Sequence, residues 1–246
     1  MTESTATPIS HRQSLPLEPF DILARASAMG RTLVGVRAPG ALLERIGVFD
    51  GVKLEGGLLV AENEKARTVI DPSVIASIVA DVSETPHDTV LTYVDFLDAD
   101  GVSVIKVTAL EGPEKFNAAL AAFARAPLPY VPPLPRTTVP VDSGDIGGVP
   151  LVAASASGAG VTLAVRRPGA EQSWTGALEA IKFGHSYVNV IQADVHLHLA
   201  ARAVAAWNRA PMGDGIALSA TDEAGQLIGL TVSGPRHAFE AVAETV

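Results

Sequence analysis

The run DVHLHL places Asp194, His196 and His198 at alternate positions, and on a β-strand alternate side chains leave by one face. Two imidazoles and a carboxylate on one face can hold a divalent metal, and a single imidazole can ligate the iron of a haem. The plainer alternative is that His198 is a hydrogen-bonded sheet residue and His196 a surface one, since neutral imidazole tolerates partial burial. His11 lies in a polar start, His87 in the approach to a hairpin and His185 in a loop before a strand; each reads as a solvated histidine. His237 follows Arg236 at the start of a short helical stretch, where it faces solvent or pairs with an anionic ligand group. Arg37, Arg209 and Arg236 can offer a forked guanidinium to carboxylates or remain solvated charges. Trp174 and Trp207 read first as core aromatics.

Other chemistries lack their residues. The chain has no Cys, so a disulfide, a thiolate nucleophile, cysteine-bound zinc and cysteine-held iron–sulfur clusters are excluded. No G-x-x-x-x-G-K-[ST] loop, H-E-x-x-H pair or G-x-S-x-G elbow occurs.

The elements that must position these groups read as two matched halves. Asp98-Ala99-Asp100-Gly101 separates LTYVDFL from VSVIKVTAL, and Asp222-Glu223-Ala224-Gly225 separates IALSAT from QLIGLTVS, so both halves contain a hairpin. Gly112-Pro113 and Gly234-Pro235 follow these hairpins, each leading into a short amphipathic stretch. Pro86-His87-Asp88 and Pro211-Met212-Gly213-Asp214 precede them. RTLVGVR and VTLAVRR are further matched strands, and residues 18–29 predict a helix ended by Gly30. Residues 71–82 suit either a helix or a strand. The expected organisation is a flexible tail over 1–14, a first repeat over 15–126, a proline-rich extended joint over 127–145 and a second repeat over 146–246.

Composition bounds the partners. Of 246 residues, 48% are hydrophobic and 18% charged, which predicts a folded chain. A net charge of −9 disfavours nucleic acid. No apolar run is long enough to span a membrane and no secretory leader is recognisable, so a cytoplasmic location is expected, with no membrane partner.

The order of motifs WTGALEAI, YVNV, HLHL, WNRAPMGDG, DEAGQLIGL and SGPR resembles the second repeat of the bacterial haem-utilisation family, cytoplasmic haem-degrading and haem-transport proteins. GRTLVGVRAPGALLERIG and YVDFLDADGVSVIKV resemble its first repeat, with a strand ending in Arg followed by Glu-x-x-Gly; together these stretches cover about four-fifths of the chain. The resemblance implies an α+β fold of two homologous repeats, each a large antiparallel sheet with flanking helices, and haem in a cleft between sheet and helices. It places Arg209, Pro211, Asp214, Gly215, Gly234 and Arg236 on family positions of the same type and Arg37 on the first-repeat Arg. The cations would meet haem propionates, and His237 would stand beside one.

The chain departs from the pattern as well. The joint carries no His where longer members place their iron ligand, Ala210 replaces a Lys, and Ser233 replaces an aromatic residue. The expectation is therefore a divergent haem-binding protein for trafficking, storage or breakdown of haem in iron acquisition. Any enzymatic activity would be of the haem-degrading oxygenase type. The axial imidazole would come from His198 or its neighbour His196. The alternative is a binding or regulatory module that keeps the fold but has lost haem.

Overall fold

The structure, a computed structural model, describes residues 10–84, 90–132, 137–240 and 242. The first half supplies β1 (Gln13–Leu15), α1 (Pro19–Ala24), β2 (Arg31–Arg37), β3 (Ala41–Val48), β4 (Lys53–Glu55), β5 (Leu58–Glu62), β6 (Ala66–Ile70), β7 (Ser77–Glu84), β8 (Val90–Leu97), β9 (Ser103–Ala109) and α2 (Pro113–Ala119). β10 (Ala126–Pro127) begins the joint. The second half supplies α3 (Val149–Ser157), β11 (Gly160–Arg167), β12 (Ala170–Ala177), β13 (Lys182–Gly184), β14 (Tyr187–Ile191), β15 (Val195–Ala200), β16 (Ala206–Met212), β17 (Gly215–Thr221) and β18 (Leu227–Pro235). Each helix has Pro in its first turn, where the missing N–H costs nothing.

These strands build two antiparallel sheets of ten and eight strands, in the orders β10-β1-β7-β8-β9-β2-β3-β15-β14-β13 and β16-β17-β18-β11-β12-β6-β5-β4. The duplication expected from the hairpins is present in the topology. Leaving aside β10 and β1, the two orders are the same with the halves exchanged. Each repeat gives five strands to one sheet and sends three across to the other. The exchange is made at two seams, β3 against β15 and β12 against β6.

The hairpins repeat down to single hydrogen bonds. Asp98 accepts the amides of Asp100 and Val102 on its carboxylate, and Asp222 accepts those of Ala224 and Gln226. Gly101 and Gly225 both take φ near +73°, a left-handed turn that glycine adopts without a Cβ penalty. A register shift follows at Phe96/Leu97 in one pair and at Ser219/Thr221 in the other.

Strict alternation decides which side chains meet between the sheets. β3 buries Ala41, Leu43 and Arg45, and β15 buries Val195, Leu197 and Leu199, while the residues between them stay half-exposed on the other face. The core joins these to Leu163, Val165 and Trp174 of the second sheet and to Phe49, Phe96 and Phe239. One polar side chain crosses this layer: buried Gln172 donates to the carbonyls of Val34 and Leu43 and accepts from Thr68.

Several sequence expectations change. Residues 71–82 form a 3-10 turn over Pro72–Val74, with Asp71 accepting from the Ser73 amide, and then strand β7. The tail expected to be flexible is already held at Gln13, where β1 pairs with β7 and β10. Ala126 and Pro127 make a two-residue edge strand, where a proline is tolerated because its nitrogen need not donate. The second Gly-Pro segment gives only a 3-10 turn, Arg236–Phe239. Pro86, His87 and Asp88, and joint residues 133–136, lie outside the described residues. None of the described helices is long and apolar enough to cross a membrane.

Candidate functional site

Antiparallel register builds rows of side chains on the outer face of the ten-stranded sheet, the face turned away from the eight-stranded one. One row reads Asn189, His198, Leu42, Arg37 across β14, β15, β3 and β2. The next reads Ile191, His196, Glu44, Gly35, Lys106, Asp95 and continues through β9 to β8. A third carries Ile46, Leu33, Thr108, Tyr93 and Asp81.

The seam between β3 and β15 therefore brings Glu44 against both histidines. Its Oε2 lies 3.4 Å from His198 Nε2 and 3.8 Å from His196 Nδ1. The donor atoms of the three residues all fall within 4.8 Å of one another. The site is partly open to solvent, with His196 and His198 side chains about one quarter exposed. The imidazole planes stand 81° apart, which lets both turn a nitrogen toward one point.

The proton positions on His198 follow from its neighbour. Asn189 Nδ2 donates to the carbonyls of Lys182, Gly184 and Tyr187, which fixes Oδ1 as the acceptor. His198 Nδ1, 2.7 Å from that oxygen, must then carry a hydrogen and donate. That leaves Nε2 on the side of Glu44. Burial acts most strongly on Glu44 and pushes its carboxyl upward. Hydrogen bonds from His196 and His198, with their charge, outweigh it and hold the group below the ordinary glutamate value.

Beyond Glu44 the row passes over Gly35, which is buried. Gly35 presents no side chain, and a Cβ built there would come within 3.2 Å of Leu42 and 3.3 Å of Glu44. Cations follow: Arg37 is two strands from His198, roughly 10 Å at ordinary strand spacing, and Lys106 is one strand beyond Gly35. The Lys106 ammonium sits 3.3 Å from the centroid of the Tyr93 ring. Burial lowers Lys106 from its usual value and raises Asp95 and Tyr93 from theirs. Tyr93 also donates to Asp81, 3.1 Å away.

Of the residues singled out in the sequence, His196, His198 and Arg37 share this face. Asp194 does not: it precedes β15, and its carboxylate turns the other way to accept from Lys65 at 2.9 Å and from Trp174 Nε1 at 3.2 Å. Strand alternation fails for it because β15 starts only at Val195, so the carboxylate of the constellation is Glu44. Arg209, on exposed edge strand β16, donates to the Val242 carbonyl. Arg236 and His237 are exposed in the turn after β18. These three belong to the eight-stranded sheet and are not brought to the histidines. His185 and Ser186 form the β13–β14 turn, with φ of +52° and +69°. Trp207 is buried and donates to the Ile146 carbonyl. Two hollows lie elsewhere, one of about 340 Å³ beside Arg45, Lys65, Trp174 and Asp194, and one of about 430 Å³ beside Asp142, Asp145 and Arg202.

Glu44, Asn189, Gly35 and Lys106 were not singled out by sequence spacing. Glu44 stands 152 positions before His196, and only the outward phase of ALLERIG hinted at its face.

No protein-family model matches the chain, and no curated protein matches it in sequence. Solved structures do match. The haem-degrading enzyme ChuS of Escherichia coli O157:H7 superposes with a TM-score of 0.72 at 19% identity, over 92% of this chain and 82% of that one. A second structure of ChuS, described as an E. coli haem oxygenase, gives 0.73 at 19% identity, over 92% and 84%. Holo-PhuS, a haem-binding protein from Pseudomonas aeruginosa, gives 0.72 at 18% identity, over 92% and 82%. The motif resemblance is thus matched at the level of the fold: the chain has the two-repeat α+β fold of these bacterial haem proteins.

Proposed function

We propose that the chain binds haem, or a related tetrapyrrole, over the outer face of the ten-stranded sheet, and serves haem trafficking, storage or breakdown. The observation that carries this reading is the orientation of His196. Its Nδ1 faces the Glu44 carboxylate, which leaves Nε2 as the nitrogen offered to iron, and a carboxylate behind a ligating imidazole fixes its tautomer and raises its basicity. His198 is the weaker candidate because Asn189 and Glu44 already engage its two nitrogens. Half-exposed Leu42 would give the macrocycle an apolar contact, and Arg37 and Lys106 are cations on the same face that would pair with propionates. Bound haem would supply the redox-active iron, while the chain supplies axial ligand, orientation and charge.

The fold shared with a haem-degrading enzyme and a haem-binding protein supports the same reading. Titration of the untagged protein with haemin is expected to give a saturable Soret band at one haem per chain. His196→Ala is expected to shift that band and weaken retention more than His198→Ala does. Linear, unsaturable uptake would overturn haem binding. An unchanged spectrum in both single variants and the double variant would overturn the ligand assignment. A module that keeps the fold without haem is favoured by a joint with no His among residues 127–145 and by Ala210 and Ser233 in place of family residues. A colourless preparation that takes up no haemin would select it.

A further inference from the structure

We propose that Glu44, His196 and His198 form a binding site for a divalent transition metal of the zinc or ferrous class, one that needs no tetrapyrrole. Ligand bonds of about 2.0–2.1 Å to nitrogen and oxygen in a tetrahedral site put neighbouring donor atoms about 3.3 Å apart. His198 Nε2 and Glu44 Oε2 are already 3.4 Å apart, and His196 Nδ1 is 3.8 Å from the same oxygen. Small side-chain adjustments bring all three onto one ion. The tautomer makes the case more specific. With Nδ1 of His198 donating to Asn189, Nε2 is the nitrogen left to hold an ion, and it lies 3.4 Å from the Glu44 carboxylate oxygen.

The surroundings are those of a ligand set. Asn189, its two amide hydrogens shared among three backbone carbonyls, orients His198 from behind, as outer partners do around metal sites. All three ligands stand on paired strands, which hold donors more rigidly than loops do. Three protein ligands leave a fourth position for water or a substrate atom, the arrangement of catalytic rather than closed structural sites. Repeat symmetry does not demand the cluster. In the matching seam Arg67 faces Ser173 and Val69 faces Glu171, so the donors were placed on one sheet only.

Metal binding uses His196 Nδ1, His198 Nε2 and Glu44, whereas the haem reading uses His196 Nε2. The two therefore separate by experiment. Untagged apo-protein is titrated with Zn²⁺ by calorimetry and with Co²⁺ by visible absorption, whose d–d bands report a tetrahedral site. One equivalent is expected at neutral pH, with affinity falling at least about tenfold in Glu44→Gln and in His198→Gln, and by roughly 10–100-fold in Asn189→Ala. Circular dichroism checks that each variant is folded. Affinity is expected to fall in acid, because protons compete for the ligands. Zinc and haemin titrations of the same wild-type protein are scored separately, so zinc binding can fail without haem binding failing. Absence of stoichiometric Zn²⁺ binding, or wild-type affinity in a folded Glu44→Gln or His198→Gln variant, would overturn the site.

Discussion

Glu44 shows how one residue is governed by opposing terms. Its burial favours the neutral acid, and its two imidazole neighbours favour the anion more strongly, so the folded carboxyl titrates below its ordinary value of 4.5. The sign of the linkage follows. A depressed acid binds fewer protons in the folded state, so its stabilisation is fully present above 4.5 and is lost as pH falls through the lower folded value. Asp95 on the same face behaves oppositely: burial raises it, so its ionised form opposes folding and acid relieves that cost. Comparing wild type with Glu44→Gln isolates the first effect from the second. Denaturant unfolding over a pH series is expected to show the variant less stable near neutrality, with the gap closing as pH falls below 4.5. A gap that stays constant, or widens in acid, would mean that the histidines do not hold the carboxylate.

Elements were more legible in the sequence than their assembly was. The phase of DVHLHL showed which face of β15 carries the histidines, and each Asp–Gly tetrapeptide marked a hairpin, because strand alternation and turn chemistry are local. Glu44 escaped notice because register between strands far apart in the chain is written in no local pattern. Asp194 misled because the strand begins one residue later than alternation alone suggests. The paired hairpins also permit a test of how far duplication extends into energetics. Asp222 closes its turn with two side-chain hydrogen bonds near the surface, so Asp222→Ala is expected to cost about 1 kcal/mol. Asp98 makes the same two bonds and also pairs with Arg167, whose side chain is only 10% exposed. Asp98→Ala is expected to be the more damaging, since it strands that guanidinium as well. Thermal unfolding of the two variants measures the difference, and equal losses would show that the Arg167 pair contributes nothing.

At the scale of the whole molecule, the proline joint left open whether the two repeats pack together or act apart, and the sheets join them. A sequence carrying the same strand signals twice does not say whether a strand pairs within its own half or across to the other. Here β4, β5 and β6 reach their sheet only through β12, and β13, β14 and β15 reach theirs only through β3. An isolated half would thus leave a three-stranded piece unsupported and expose the backbone of β3 or β12 as a long edge, a template for aggregation. Gln172 ties the layers further, its amide spanning from β12 to carbonyls on β2 and β3. The candidate site lies on a seam of this exchange, with Glu44 from the first repeat and both histidines from the second, so neither half alone holds it. Cutting the chain between residues 132 and 137 should therefore test both the fold and the site. Each fragment expressed alone is expected to lack cooperative unfolding and fixed near-ultraviolet dichroism, whereas co-refolded fragments regain both and bind haemin. If either fragment unfolds cooperatively by itself, the sheets do not depend on the exchange; if one alone takes up stoichiometric haemin, the site is not the shared one between β3 and β15.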